Sequence, residues 1–139
     1  MAIIQGLTTL CKEKMLKGGI DFTTVEVKLA LFDKDATLDA TTTTYTGLGN
    51  QISGDGYISG GNVLSATVAT SGTIAYVDFA DSSWSDATFT TAGGLIYNNT
   101  VGSKDALAVL DFGGEKTVTA GTFIIKFPTP GESAIIRIE

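Results

Sequence analysis

The chain has 139 residues, enough for one domain with a sizeable core and too few for two. Hydrophobic residues make up 43%, which excludes a disordered chain, and the formal net charge is −6 with no histidine. That balance argues against a nucleic-acid groove or an anionic membrane surface as a partner, since both need clustered Lys and Arg.

Cys11 is the sole cysteine, so an intramolecular disulfide and a Cys-based zinc site are both excluded. It reads as a small buried apolar residue, because a catalytic thiol would need a His partner. Residues 1–7, MAIIQGL, have no basic segment before them, and no 18-residue apolar run follows. Neither a secretory signal nor a membrane span is expected, and the chain is expected to stay in the compartment where it is made.

In chain order, LTTLCKEKMLK (7–17) predicts a short amphipathic helix. Leu7, Leu10, Cys11 and Leu16 form its stripe with Met15 beside them, Thr8 or Thr9 is the N-cap, and Gly18-Gly19 is the stop. Such a helix is marginal alone and must pack on something, either plugging one end of the domain or docking on a partner. Residues 1–19 are thus an N-terminal arm, and residues 20–139 a single β-domain. In VEVKLALF (25–32), Val25, Val27, Leu29 and Leu31 share one face opposite Glu26 and Lys28, the pattern of a half-buried strand. Residues 33–61, rich in Thr, Gly and Asp, read as a long surface loop with one short strand near Tyr45. Loops of this length are functional or ordered by contact.

Further strands are expected at 63–68, 73–79, 87–91, 94–99, 106–112, 122–127 and 134–138. The turns between them fall at Ser71-Gly72, Gly93-Gly94, Gly102-Ser103, Gly113-Gly114 and Pro130-Gly131. Phe123, Ile125 and Phe127 are the core-facing set of the 122–127 strand. Short strands at this spacing predict an all-β antiparallel domain, a β-sandwich or jelly roll, with a short N-terminal helix.

No motif carries catalysis. Asp111-Phe112-Gly113 repeats the magnesium-binding triplet of kinases, but the chain has no His for the catalytic loop and is too short for that fold. These residues read as a strand end running into a glycine turn, with Phe112 and Leu110 on the buried face and Asp111 opposite. The Gly-rich 47–61 segment lacks both phosphate-loop patterns. Asp33, Asp35 and Asp39 lack the Gly and Glu of a calcium-binding loop and read as a solvated acidic segment. Asp78, Asp81, Asp86 and Asp111 show no spacing that selects a catalytic pair. Asn98-Asn99-Thr100 is a formal glycosylation sequon that means little without a secretion signal. Trp84, set among polar residues, is either buried in the sandwich or an exposed anchor at an interface. No enzyme activity, cofactor or metal is expected.

Several stretches taken in order, GYISGGNVL (56–64), AYVDFADSSWSDATFTTAGGLIYNNT (75–100), AVLDFGGEKTVTAGTFIIKFP (108–128) and the closing AIIRI, resemble a small virion protein of tailed bacteriophages. VKLALF (27–32) and TTTTYT (41–46) fit the same pattern, and the likeness covers most of the chain after about residue 20. The likeness is greatest to capsid decoration, or cement, proteins. It implies a non-enzymatic structural protein that sits outside the capsid as a homotrimer, binds the major capsid protein and clamps the shell, after assembly in the bacterial host cytoplasm. The acidic charge suits the outside of a shell better than its DNA-facing interior, and trimer packing would bury Ile74 and Ile124. Leu7, Leu10, Met15 and Trp84 complete the expected interface set. A tail, fibre or head–tail adaptor subunit is the alternative. A carbohydrate-binding module ranks below both, because Tyr45, Tyr57, Trp84 and Tyr97 are scattered along the chain.

Overall fold

A computed structural model describes residues 2–127 and 134–138. The turn expected at Pro130-Gly131 lies outside the described residues. The chain is mainly antiparallel strand with one short N-terminal helix, the class expected from the strand spacing. The elements run β1 (Gly6–Leu7), α1 (Thr9–Leu16), β2 (Val27–Phe32), β3 (Asn62–Leu64), β4 (Ala66–Ser71), β5 (Ile74–Phe79), β6 (Ser82–Asn98), β7 (Ala106–Ile125) and β8 (Ile136–Ile138). They form a five-stranded sheet ordered β1-β7-β6-β2-β3 and a three-stranded sheet ordered β4-β5-β8. One hydrophobic cluster joins the sheets, with Leu29, Leu31 and Ile96 from the large one and Val77, Phe79 and Ile136 from the small one.

The helix is shorter than the 7–17 span because Leu7 is drawn into β1, opposite Ala108 on the edge of β7. Thr8 is the N-cap. Its hydroxyl oxygen accepts the Cys11 N–H (3.0 Å) and donates to the Ala106 carbonyl (2.7 Å), so one side chain starts the helix and ties it to β7. Cys11 and Met15, one turn apart, face the core. Leu16 lies about 100° further round and is 90% exposed, so it leaves the expected stripe. Gly18, with φ 69°, ends the helix, and the Gly19 N–H returns to the Lys14 carbonyl (2.7 Å).

Strand β2 departs from the half-buried reading. Val27, Leu29 and Leu31 face the shared core as expected, but Ala30 and Phe32 are buried on the other face too. The cover is the 33–61 segment, whose Ala36 and Leu38 pack with Ile3 against Phe32, Leu95, Tyr97 and Val109. No strand forms near Tyr45. A single antiparallel bridge, Thr44↔Asp105, stands there instead.

The glycine pairs read as turns lie inside long strands. β6 runs unbroken through Gly93-Gly94 and β7 through Gly113-Gly114, so four expected strands are two, forming one long hairpin. A Cβ on Gly93 would lie 2.6 Å from the Leu110 carbonyl oxygen and 2.9 Å from Ile3 side-chain carbons. Glycine serves there for close approach of backbone and side chain, not for a turn. At Gly113-Gly114 the register jumps from Thr91↔Lys116 to Gly93↔Asp111, which leaves residues 112–115 as a bulge in β7. The Asp-Phe-Gly triplet therefore opens a bulge rather than ending a strand, while Leu110 and Phe112 do turn inward and Asp111 outward. The expected 63–68 strand divides at Ser65 into β3 and β4, which belong to different sheets.

Replacing Gly93 with Ala is expected to cost about 2–3 kcal/mol in urea unfolding, since backbone on one side and Ile3 on the other leave no room. Gly102→Ala, where a Cβ meets nothing within 4 Å, is expected to stay within about 0.5 kcal/mol of the parent. Equal costs at the two positions would show that the Leu110 carbonyl and Ile3 do not crowd Gly93.

Candidate interaction surface

The second face of the large sheet carries a polar node. Gln51 Oε1 accepts the Tyr57 hydroxyl (2.6 Å) and the Gly60 N–H (2.8 Å), and its Nε2 donates to the Tyr45 hydroxyl (2.9 Å). Tyr57 oxygen in turn accepts the Leu31 N–H from β2 (3.1 Å). Tyr97 donates to the Gly60 carbonyl (2.7 Å) and stacks flat on Tyr45 with ring centroids 4.2 Å apart. Burial pushes the Tyr57 hydroxyl far above its usual range and Tyr97 up to about 12, so both hold their protons at neutral pH. Nothing in the alternation of the sequence marked Gln51, because a hub residue in an irregular segment has no period.

Trp84 is 3% exposed and is not an interface anchor in the free chain. It packs beside Phe89 and Phe123, whose centroids lie 6.5 and 5.9 Å from its own, and Phe112 closes on Phe123 at 6.2 Å. Its indole N–H finds no acceptor among the described residues. Of the expected interface set, Leu7 and Met15 pack on the main core, Leu10 and Ile74 are half-buried, and Ile124 is 50% exposed. The set does not converge. Of the set, Met15 lines a groove.

That site is a groove of about 270 Å³ where the end of α1 and residues 20–22 meet the small sheet. Met15, Ile20, Phe22, Val77 and Ile136 form its apolar floor and wall. Val68 and Ile138 continue the same sheet face past the core, 47% and 57% exposed. Alternation puts the Ile136 and Ile138 side chains on one face, but only Ile136 finds cover, and alternation does not mark where that cover stops. Leu16 follows Met15 in the chain and points to solvent. Asp21 stands at the rim, its carboxylate held below the usual range by the Thr23 hydroxyl and N–H.

Two acidic residues of the 33–61 segment, Asp33 and Asp39, cap local turns. Asp33 accepts the Asp35 N–H (2.9 Å), and Asp39 accepts both the N–H and hydroxyl of Thr41 (2.8 and 2.6 Å), which hold its carboxyl below the usual carboxylate range. Among the described residues no three acidic or Cys side chains converge to hold a metal. No helix among them is long and apolar enough to cross a membrane. Set against protein-family models, curated proteins and solved structures, the chain gives no match.

Two measurements separate core from surface. Phe89→Ala is expected to cost about 3–5 kcal/mol in denaturant unfolding, whereas Ile124→Thr is expected to stay within about 0.5 kcal/mol. A large cost at Ile124 would place it in the core of the free chain. Burial also pushes the Cys11 thiol up to about 11. The unfolded thiol ionises near 8.5, so above that pH the unfolded chain has lost a proton that the folded chain keeps, and stability falls as pH rises. Cys11→Ala is expected to flatten that decline between about pH 8.5 and 11. An unchanged pH slope would assign the alkaline loss to the buried tyrosines.

Proposed function

We propose that this chain is a non-enzymatic structural protein of a tailed-phage virion, a decoration protein that binds the major capsid protein on the outside of the shell as a homotrimer. The resemblance of its ordered stretches to such proteins motivates the reading. The observation that carries it is the placement of exposed apolar side chains. Val68 and Ile138 overhang the groove floor, and Leu16 stands free one residue from Met15, while Ile4, Ile58, Val63 and Ile124 are exposed elsewhere on the surface. A surface of that kind is worth more in contact with a protein than in water. The net charge of −6 supports an outward-facing position, where no nucleic acid must be approached. The body is suited to a clamp, because its large sheet is buried on both faces through its centre and resists bending.

Copy number in purified particles, measured by quantitative mass spectrometry against the major capsid protein, tests the reading. A ratio comparable to that of the capsid protein is expected. A few to a few tens of copies per particle would move the chain to the tail or portal region, and absence from particles would sink the virion assignment. Light scattering at micromolar concentration is expected to give three times the 14.4 kDa chain mass, and a monomer would remove the trimer from the proposal. Leu16→Ser and Ile138→Ser are each expected to leave unfolding midpoints unchanged while weakening capsid binding about tenfold.

A further inference from the structure

We infer that residues 45–60 form a strap that opens as one unit, ahead of the sheet beneath it, with the Gln51 side chain as its latch. The strap meets the large sheet through isolated bridges, Phe32↔Gln51 and Asp55↔Thr88, and not through a ladder. Several of its other ties meet at the one amide that joins Tyr45, Tyr57 and Gly60, while the Ile52 and Tyr57 side chains reach the main core. When that amide lets go, the Tyr57 hydroxyl and the Gly60 N–H lose their shared acceptor together, so these contacts break as a set. Few ladder bonds and one shared node are the marks of a sub-global opening unit.

Opening has a defined consequence for β2. The Leu31 N–H is held by Tyr57, and the Leu31 carbonyl accepts the Ile52 N–H (3.1 Å), so both backbone groups of this strand residue depend on the strap. Its neighbour Ala30 pairs with Leu95 on the β6 side. A lifted strap therefore bares one edge of β2 and the face of Tyr97 that Tyr45 covers, while the β2–β6 ladder stays closed.

Native-state amide hydrogen exchange on the full chain, read residue by residue by NMR, tests this. The amides of Leu31, Ile52 and Gly60 are expected to exchange with one common opening constant, at least about tenfold larger than that of Ala30. Gln51→Leu is expected to raise exchange at those three amides together by about 10- to 100-fold, the loss of two or three hydrogen bonds, with Ala30 unchanged. Tyr97→Phe, which removes only the bond to the Gly60 carbonyl, is expected to produce a smaller rise at the same amides. It keeps the test available should Gln51→Leu fail to fold. Leu31 exchanging in step with Ala30, unrelated rates at the three strap amides, or a uniform rise across the whole sheet in either variant would overturn the inference.

Discussion

The centre of the large sheet is buried on both faces, and most of the remaining architecture answers to that. Thr91 through Asn98 of β6 and Ala106 through Leu110 of β7 are buried without interruption, with β2 beside them. A sheet so placed needs two covers. The helix and the small sheet supply one, through Cys11, Val77, Phe79 and Ile136. The second comes from an irregular segment, which must bring its own hydrogen-bond partners because it has no ladder to satisfy its backbone. That is why the 33–61 segment is threaded with side-chain bonds. Asp33, Asp39 and Thr44 cap its local turns, and Gln51 gathers the tyrosines. β3 reaches only as far as Leu29, so the edge of β2 beyond it would stand open without Ile52 and Tyr57.

The same burial explains the irregular hairpin. β6 and β7 pair over most of their lengths, but their register shifts at four places. One shift, between Ile96 and Tyr97, leaves Leu107 without an opposite residue. Leu107 and Ala108 then both join the main core, while Ala106 and Val109 flank them on the other face. The bulge adjusts which apolar side chains each cover receives. Further along, Asp86 and Ala120 sit at φ 49° and 47° beside shifts that keep Trp84, Ala87 and Phe89 on the inner face, where Phe123 meets them.

Much of this was legible where one period held. VEVKLALF showed its core face correctly, Thr8 stood among the expected caps, and Leu110 and Phe112 were placed on the right side. The errors share a cause. Glycine pairs signal turns when read locally, yet Gly93 is small because Ile3 and the Leu110 carbonyl press on it, which only the tertiary fold reveals. The composition of 33–61 suggested a solvated loop because Ala36, Leu38 and Ile52 bury themselves at intervals that match neither helix nor strand. Trp84 was ambiguous among polar neighbours, although Ser82 and Trp84 are both buried with an exposed Ser83 between them, the ordinary alternation of a strand. The overhang of Val68 and Ile138 was beyond reach, since alternation marks a face but not where its cover stops.

That boundary between covered and uncovered apolar surface bears most directly on function. Val77 and Ile136 are buried, and one pleat further along the same face Ile138 is exposed. Nothing else among the described residues seals the overhang. The chain ends its helix at Gly18-Gly19 and leaves Leu16 outside. Exposed aliphatic side chains contribute nothing to the stability of the free chain, and removing them from water is worth roughly 25 cal/mol per Å². A groove left open beside them is costly to solubility unless a partner closes it. On the decoration reading that partner is the capsid. The groove then supplies the apolar contact, with the small sheet as its floor and the end of α1 as its wall.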